Sequence, residues 1–223
     1  ALDILRDVIR ERYPEIDFMA TPTGSLSGIM ALKRGITGLC TSHILDEKEK
    51  IYNIPLIKKY LKDTPCILIN LVKRIQGLIV QKGNPKGIKG IEDLIKEDIF
   101  FVNRQFGSGT RILFDTIIKE KHIKKSQIKG YDREEASHTA VAIMVKESIA
   151  DVAMGILSVA KIFSLDFIPV GEEDFDFLVS KEFYDTDKFK VLMEAIESDE
   201  FKQRLLDIGG YNISDTGKIK FEQ

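Results

Sequence analysis

The sequence predicts an open α/β fold. Apolar residues recur at helical spacing in some stretches and form short strand-like runs in others. The two kinds of stretch alternate along the chain, and turns rich in Gly, Ser and Thr separate them. That alternation implies parallel βαβ units rather than a β-sandwich.

Leu2, Leu5, Val8 and Ile9 predict an amphipathic helix over 2–12, and Ile16 to Ala20 a short strand. A turn at Thr21-Pro22-Thr23-Gly24 leads to a second helix from Ser25 through Leu26, Ile29, Met30 and Leu32. Gly38-Leu39-Cys40 reads as a buried strand end, Cys66 to Val72 as an apolar strand, and Gly77 to Gln81 as another. The second half repeats the rhythm: a short helix over 91–96, a strand over 99–102, and a helix over about 110–121. A helix over 137–147, a strand over 151–155, a helix to about 164 and a strand over 167–170 follow. Two helices near 187–209 close the chain. Folds of this kind normally start on a strand, so a helix at the start points to an upstream strand, or a whole upstream domain, outside these residues.

The 223 residues are 43% hydrophobic and 30% charged, which excludes disorder. No apolar run approaches the roughly 20 residues that span a bilayer, so no membrane insertion is expected. The net charge of −2 argues against a nucleic-acid surface. A small anion pocket, decided by a few local groups, stays open. Cys40 and Cys66 are too few for a disulfide scaffold and read as buried free thiols. The chain opens Ala1-Leu2-Asp3 with no basic-then-apolar leader, as expected of a trimmed product or a piece of a longer protein. Without a leader it reads more readily as cytoplasmic than as exported; a trimmed signal would reverse that.

In open α/β sheets ligands collect where strands end and helices begin. Four such turns carry small and hydroxylic residues: 23–27 with Ser25 and Ser27, 41–43 with Ser42 and His43, 107–111 with Ser108, Gly109, Thr110 and Arg111, and 136–139 with Ser137, His138 and Thr139. Backbone N–H groups and hydroxyls there can face an anion, and a helix start favours negative charge by about 0.3–1 kcal/mol when exposed. Hydrogen bonds to a charged group add roughly 1.5–3 kcal/mol each. Convergence of two or more turns on one oxyanion therefore reaches micromolar binding. Each turn taken alone reads first as an ordinary N-cap.

Walker and dinucleotide glycine spacings are missing, which removes the best support for nucleotide chemistry. His122 reads as a solvated helix end; His43 and His138 leave both a structural hydrogen bond and ligand contact open. None of the three has zinc-site spacing, and no nucleophile elbow marks a hydrolase. No catalytic residue and no metal ligand is expected. Asp151 reads first as a capping or hinge group, and 134–135 and 172–174 as solvated loop charges. Any of those carboxylates in the pocket would repel an anion unless Arg74, Arg104 or Arg111 held it.

Several segments together resemble the periplasmic-binding-protein-like domains related to molybdate-binding proteins and LysR-type substrate domains. They include Gly24-Ser25-Leu26-Ser27-Gly28, His43-Ile44-Leu45-Asp46, Tyr52-Asn53 and Arg74-Ile75-Gln76-Gly77-Leu78. Asn103 through Arg111 is the most specific block, and Ser137 to Ala142 and Ala150 to Gly155 also match. The pattern covers nearly the whole chain. It departs in lacking the initial strand and polar turn, and in having Phe175 where a tyrosine is expected.

The resemblance implies a type II periplasmic-binding-protein-like fold: two α/β lobes joined by two crossover strands, with ligand in the cleft between them. Lobe one would be 1–74 plus 177–223 and lobe two 78–173, with crossovers near 73–77 and 172–177 and a hinge at Arg74, Gln76 and Gly77. It further implies a binding or sensor domain, not an enzyme, with no cofactor. The ligand would be a small tetrahedral oxyanion such as molybdate or tungstate, held by the four turns and Arg104, with Arg111 as balancing charge. The expected partners are a transporter or a fused DNA-binding or molybdopterin-synthesis domain. An organic effector in the same fold is the alternative, and an accessory part of a molybdopterin-biosynthesis enzyme a second.

Overall fold

The computed structural model describes residues 1–21 and 23–223; Pro22, inside the predicted turn at 21–24, lies outside them. The chain divides into two compact units, residues 1–73 with 174–223, and residues 74–173. Two long strands carry the chain from one to the other: β2 (Cys66–Val80) and β6 (Asp166–Ser180), numbered in chain order.

In the first unit, α1 (Leu2–Arg12) forms because Leu5, Val8 and Ile9 repeat on one face, and that face is buried. It packs against α8 (Asp187–Glu197) and α9 (Asp199–Ile208) around Phe177, Phe189 and Phe201. Thr186 and Ser198 cap those two helices, each side chain accepting from the backbone N–H three residues on. A second cluster of Ile29, Ile57, Leu68 and Leu178 lies under α2 (Ser25–Lys33) and α3 (Ile54–Tyr60). The strand β1 (Leu39–Ser42) pairs antiparallel with β6, placing Ser42 opposite Asp176. The C-terminal strand β8 (Ile219–Glu222) pairs antiparallel with β2, and β7 (Tyr211–Asn212) also joins β2.

In the second unit, β2 pairs antiparallel with β5 (Val152–Ile156), which runs parallel to β3 (Phe101–Arg104). The two-residue β4 (Glu134–Glu135) extends the ladder parallel to β3. The helices α4 (Gly109–Glu120), α5 (His138–Lys146) and α6 (Leu157–Ile162) supply the apolar cover, with Val102, Val141, Val145 and Ala153 in one cluster.

Mixed α/β architecture was the expectation, but the sheet is not all parallel. β2 and β6 make antiparallel pairs, because each returns the chain across a unit boundary instead of closing a βαβ turn. The segment 16–20 is not a strand: Ile16 and Phe18 alternate because they pack on the first core, and no ladder forms there among the described residues. The two strands expected at 66–72 and 77–81 are one. Arg74 and Gln76, which interrupt the apolar pattern, share one face of β2 and are buried with polar partners rather than marking a turn. Likewise β6 is far longer than the four residues expected, since Glu172 to Asp176 conceal a strand behind charge. Helix α3 and the short α7 (Lys181–Tyr184), absent from the sequence expectation, are too short to show a period.

Candidate functional site

Strand β3 ends in the second unit at Arg104, and the loop after it turns through Gly107 at φ +81°. Nothing lies within 4 Å of where a Cβ would sit, so that glycine is needed for its left-handed backbone and not for space. Ser108 then caps α4, its Oγ accepting from Arg111 N at 3.3 Å. Ser137 caps α5 in the same way, accepting from Ala140 N at 3.0 Å. Thr110 Oγ1 accepts from Gln76 Nε2 at 3.1 Å, which ties the predicted hinge residue Gln76 to the α4 terminus. A hydroxyl has one hydrogen and two lone pairs. Ser108, Thr110 and Ser137 each use a lone pair inside the chain, so their hydrogens stay available to an outside acceptor. Gly109 is buried at the helix start, its amide among those lacking an intrahelical partner. Thr139 is exposed on the first turn of α5, and His138 beside it is half-buried over β5, near Gly155.

Arg104 is the charged group of this cluster. It is 8% exposed, and its hydrogen bonds go to the carbonyls of Glu135 (3.4 Å) and Ala136 (3.2 Å), the latter beside the Ser137 cap. Burial, with the neighbouring Arg74 charge, depresses its pKa to about 10, against a smaller opposing pull from Glu173. The side chain is thus a desolvated cation whose hydrogen-bond partners are dipoles rather than carboxylates.

Arg111, expected to balance the ligand's charge, is placed otherwise. Its Nε donates to Asp115 (3.2 Å), its Nη1 to Glu134 (2.9 Å) and to the Arg104 carbonyl (3.1 Å), and its plane lies 4.2 Å from the Tyr131 ring centre. Burial works against its charge, but the bonds to Tyr131, Asp115 and Glu134 hold its pKa above the ordinary value. Its charge is therefore balanced within the chain. The carboxylates also depart from the solvated reading: Glu134 is held by Arg111, Glu173 is buried in an ion pair with Arg74, and Asp174 binds Lys220 at 2.6 Å. Glu172 is exposed as expected, and Asp151 caps the strand edge by accepting from Phe100 N at 2.7 Å. Gly77 sits where an added Cβ would come within 2.2 Å of the Ile168 carbonyl, so no side chain fits there without a shift of the backbone.

In the first unit the predicted residues fall into three environments. Ser25 is buried at the first position of α2, and its Oγ accepts from His43 N at 3.2 Å, again leaving its hydrogen available. Ser42 is fully buried and donates to Asn53 Oδ1 at 2.7 Å, so its hydroxyl hydrogen is committed and the expected donation to a ligand is replaced. Ser27 is exposed on the helix. His43 meets Phe175 edge-on at 5.6 Å, in the place where a tyrosine hydroxyl was expected. The residues that organise this turn, Asn53 and Asp176, went unassigned in the sequence reading. Asn53 stood in a matching segment, but only the fold brings it to Ser42.

Both thiols are free, and burial pushes Cys40 to about 12 and Cys66 to about 11. Among the described residues no group of three His, Cys, Asp or Glu could hold a metal, and no helix is long and apolar enough to cross a membrane. A cavity of about 400 Å³ lies elsewhere in the first unit; Asp185, Glu194 and Glu197 in its lining make it a poor anion site.

A model of the PBP superfamily domain matches residues 6–197. An uncharacterized protein of Bacillus subtilis (strain 168), YvgK, is 34% identical over 224 residues, covering 99% of this chain and 72% of that protein. Among solved structures, a phosphate ABC transporter substrate-binding protein from Clostridium perfringens with bound phosphate superposes with a TM-score of 0.69 at 15% identity, over 93% of this chain and 92% of that one. A tungstate ABC transporter structure from Geobacter sulfurreducens gives 0.65 at 14% identity, over 92% of each chain.

Proposed function

Because the chain belongs to the PBP superfamily, we propose that it is a binding or sensor protein for a small oxyanion, molybdate or tungstate being the first candidates. The observation that carries this reading is Arg104, a cation 8% exposed that bonds only to carbonyl oxygens. Burying a charge without a counterion is unfavourable, and an arriving anion relieves it. Around Arg104 the second unit offers the right complement: helix starts at Ser108 and Ser137, whose dipoles favour negative charge, and hydroxyls with hydrogens to donate. Two carboxylates of this unit that would repel an anion, Glu134 and Glu173, are each held by an arginine. Two solved structures of similar fold are a phosphate-binding and a tungstate ABC transporter protein, which makes the class of ligand a natural one to test. Capture would serve a transporter, a regulatory domain or cofactor synthesis.

Isothermal titration with molybdate, tungstate, sulfate and phosphate tests the proposal. Heat with at least one, at micromolar affinity or better, supports it; no heat and no thermal shift with any of them removes it. The competing reading, an organic effector bearing an anionic group, draws on Phe106, an aromatic ring 85% exposed in the loop that leads to Ser108. Native mass spectrometry showing a retained metabolite in place of an inorganic ion would select it.

A further inference from the structure

We infer that Asn53 and Asp176 are positioning residues that hold the peptide of His43, and with it the Ser25 hydroxyl, in a fixed orientation. The link to ligand rests on the proposed anion reading with Ser25 as one of its expected donors; the clamp itself is independent of it. The Asn53 amide carries four hydrogen bonds. Its Oδ1 accepts from Ser42 Oγ (2.7 Å) and Ile44 N (2.8 Å), and its Nδ2 donates to Ser42 O (3.2 Å) and Asp176 Oδ2 (2.7 Å). An amide has two hydrogens and two principal lone pairs, so the group is saturated. Three of those bonds grip the residues on either side of His43, whose own N–H donates to Ser25 Oγ.

The backbone of Asn53 tells the same story. Its φ of 65° with ψ of −45° is a sparsely populated conformation, closed by Ile54 N donating to Tyr52 O at 2.7 Å across a three-residue turn. Such conformations are strained and persist only where the surroundings over-determine them. Here the saturated side chain does so. Behind it, Asp176 is fully buried and also accepts from Asn70 Nδ2 (2.8 Å) and Lys220 Nζ (2.7 Å). The anchor is therefore assembled from β2, β6 and the C-terminal strand, residues 44 to 123 positions from Asn53 or Asp176 in sequence. An apolar core at this place would be easier to stabilise; a saturated polar clamp instead fixes one orientation of a turn that presents donors.

The test compares wild type with Asn53→Asp, Asp176→Asn and the double exchange Asn53→Asp/Asp176→Asn. Asn53→Asp sets two carboxylates against each other, whereas the double exchange restores a carboxylate–amide pair with its polarity reversed. Amide hydrogen exchange at His43 and Ile44 is followed in ligand-free protein, with Leu192 in the core of the same unit as the check on folding, and tungstate, phosphate and sulfate are titrated into each variant. The single Asn53 variant is expected to lose at least tenfold in protection at both amides and about tenfold in affinity; the double exchange relieves the carboxylate pair but turns an oxygen at position 53 toward Ser42 O and an amide at position 176 toward Lys220, so it is expected to recover only part of each. Should Asn53→Asp fail to fold, the milder Asp176→Asn carries the same readouts. Unchanged protection at His43 and Ile44 in a folded variant overturns the clamp, and lost protection with unchanged affinity overturns its link to ligand. If wild type takes none of the anions, the functional reading fails and exchange alone decides the clamp.

Discussion

Arg104→Met removes the charge in question while keeping most of the side-chain volume. In the structure the guanidinium gives up hydrogen bonds to the carbonyls of Glu135 and Ala136. Glu135 is half-buried and Ala136 exposed, so water can reach the carbonyls. Two charge-assisted bonds of roughly 1.5–3 kcal/mol each are lost, offset by relief of a desolvated cation that also feels Arg74. A residual imbalance of about 1 kcal/mol moves the melting temperature of a chain this long by roughly 2–4 °C. Anion binding should respond far more strongly, because a hydrogen bond to a charged group contributes roughly 1.5–3 kcal/mol, or about 10- to 150-fold in affinity. Calorimetric titration of both proteins at pH 8 reads the second quantity, and thermal melts without ligand the first. Affinity within threefold of wild type in a folded variant would refute the assignment of Arg104 as the anion's counter-charge. A pH series adds a sign test. The Arg104 pKa is depressed to about 10 in the folded chain, and a bound anion raises it toward its ordinary value. Affinity for an anion of constant charge should therefore be flat below pH 10 and fall above it, with proton uptake on binding near pH 10.

Four further outcomes follow from particular contacts. Ser108→Gly retains a tolerated N-cap, so stability should change by only a few tenths of a kcal/mol, while loss of the hydroxyl lowers anion affinity several-fold by titration. Gly77→Ala drives a Cβ to 2.2 Å from the Ile168 carbonyl, and overpacking of about 1–3 kcal/mol or more should depress the melting temperature clearly; an unchanged melt would contradict the close approach. Burial raises the pKa of Asp176 against the pull of Lys220, so its contribution to stability is full below the ordinary 3.8 and is lost as pH rises through its folded value. The melting temperature of wild type minus that of Asp176→Asn should accordingly be larger at pH 3.5 than at pH 7. Cys40 and Cys66, raised to about 12 and about 11, should resist a disulfide thiol reagent at pH 7.5 until the chain is unfolded in denaturant.

Local periodicity determined much of this protein. The face of α1, the paired helices near 187–209, and the serines that cap α4 and α5 are visible because each signal lies within one or two helical turns. The candidate turns at Ser25, Ser108 and Ser137 were legible for the same reason. What the sequence alone did not decide is how charge and hydrogens are allotted among neighbours far apart in the chain. Arg104 and Arg111 stand seven residues apart in one loop-and-helix segment, yet one meets carbonyls and the other two carboxylates and an aromatic ring. Ser42 resembles Ser25 in composition and turn, but Asn53, eleven residues on, takes its hydrogen. The polar interruptions in β2 and β6 read as a break between two strands and as loop charges because Arg74, Gln76 and Glu173 lack apolar character; tertiary packing gave them partners, Glu173 for Arg74 and Thr110 for Gln76, and kept the strands whole. A buried polar group is stable only beside its complement, and that complement is chosen by the fold in three dimensions, where a one-dimensional pattern has no record of it.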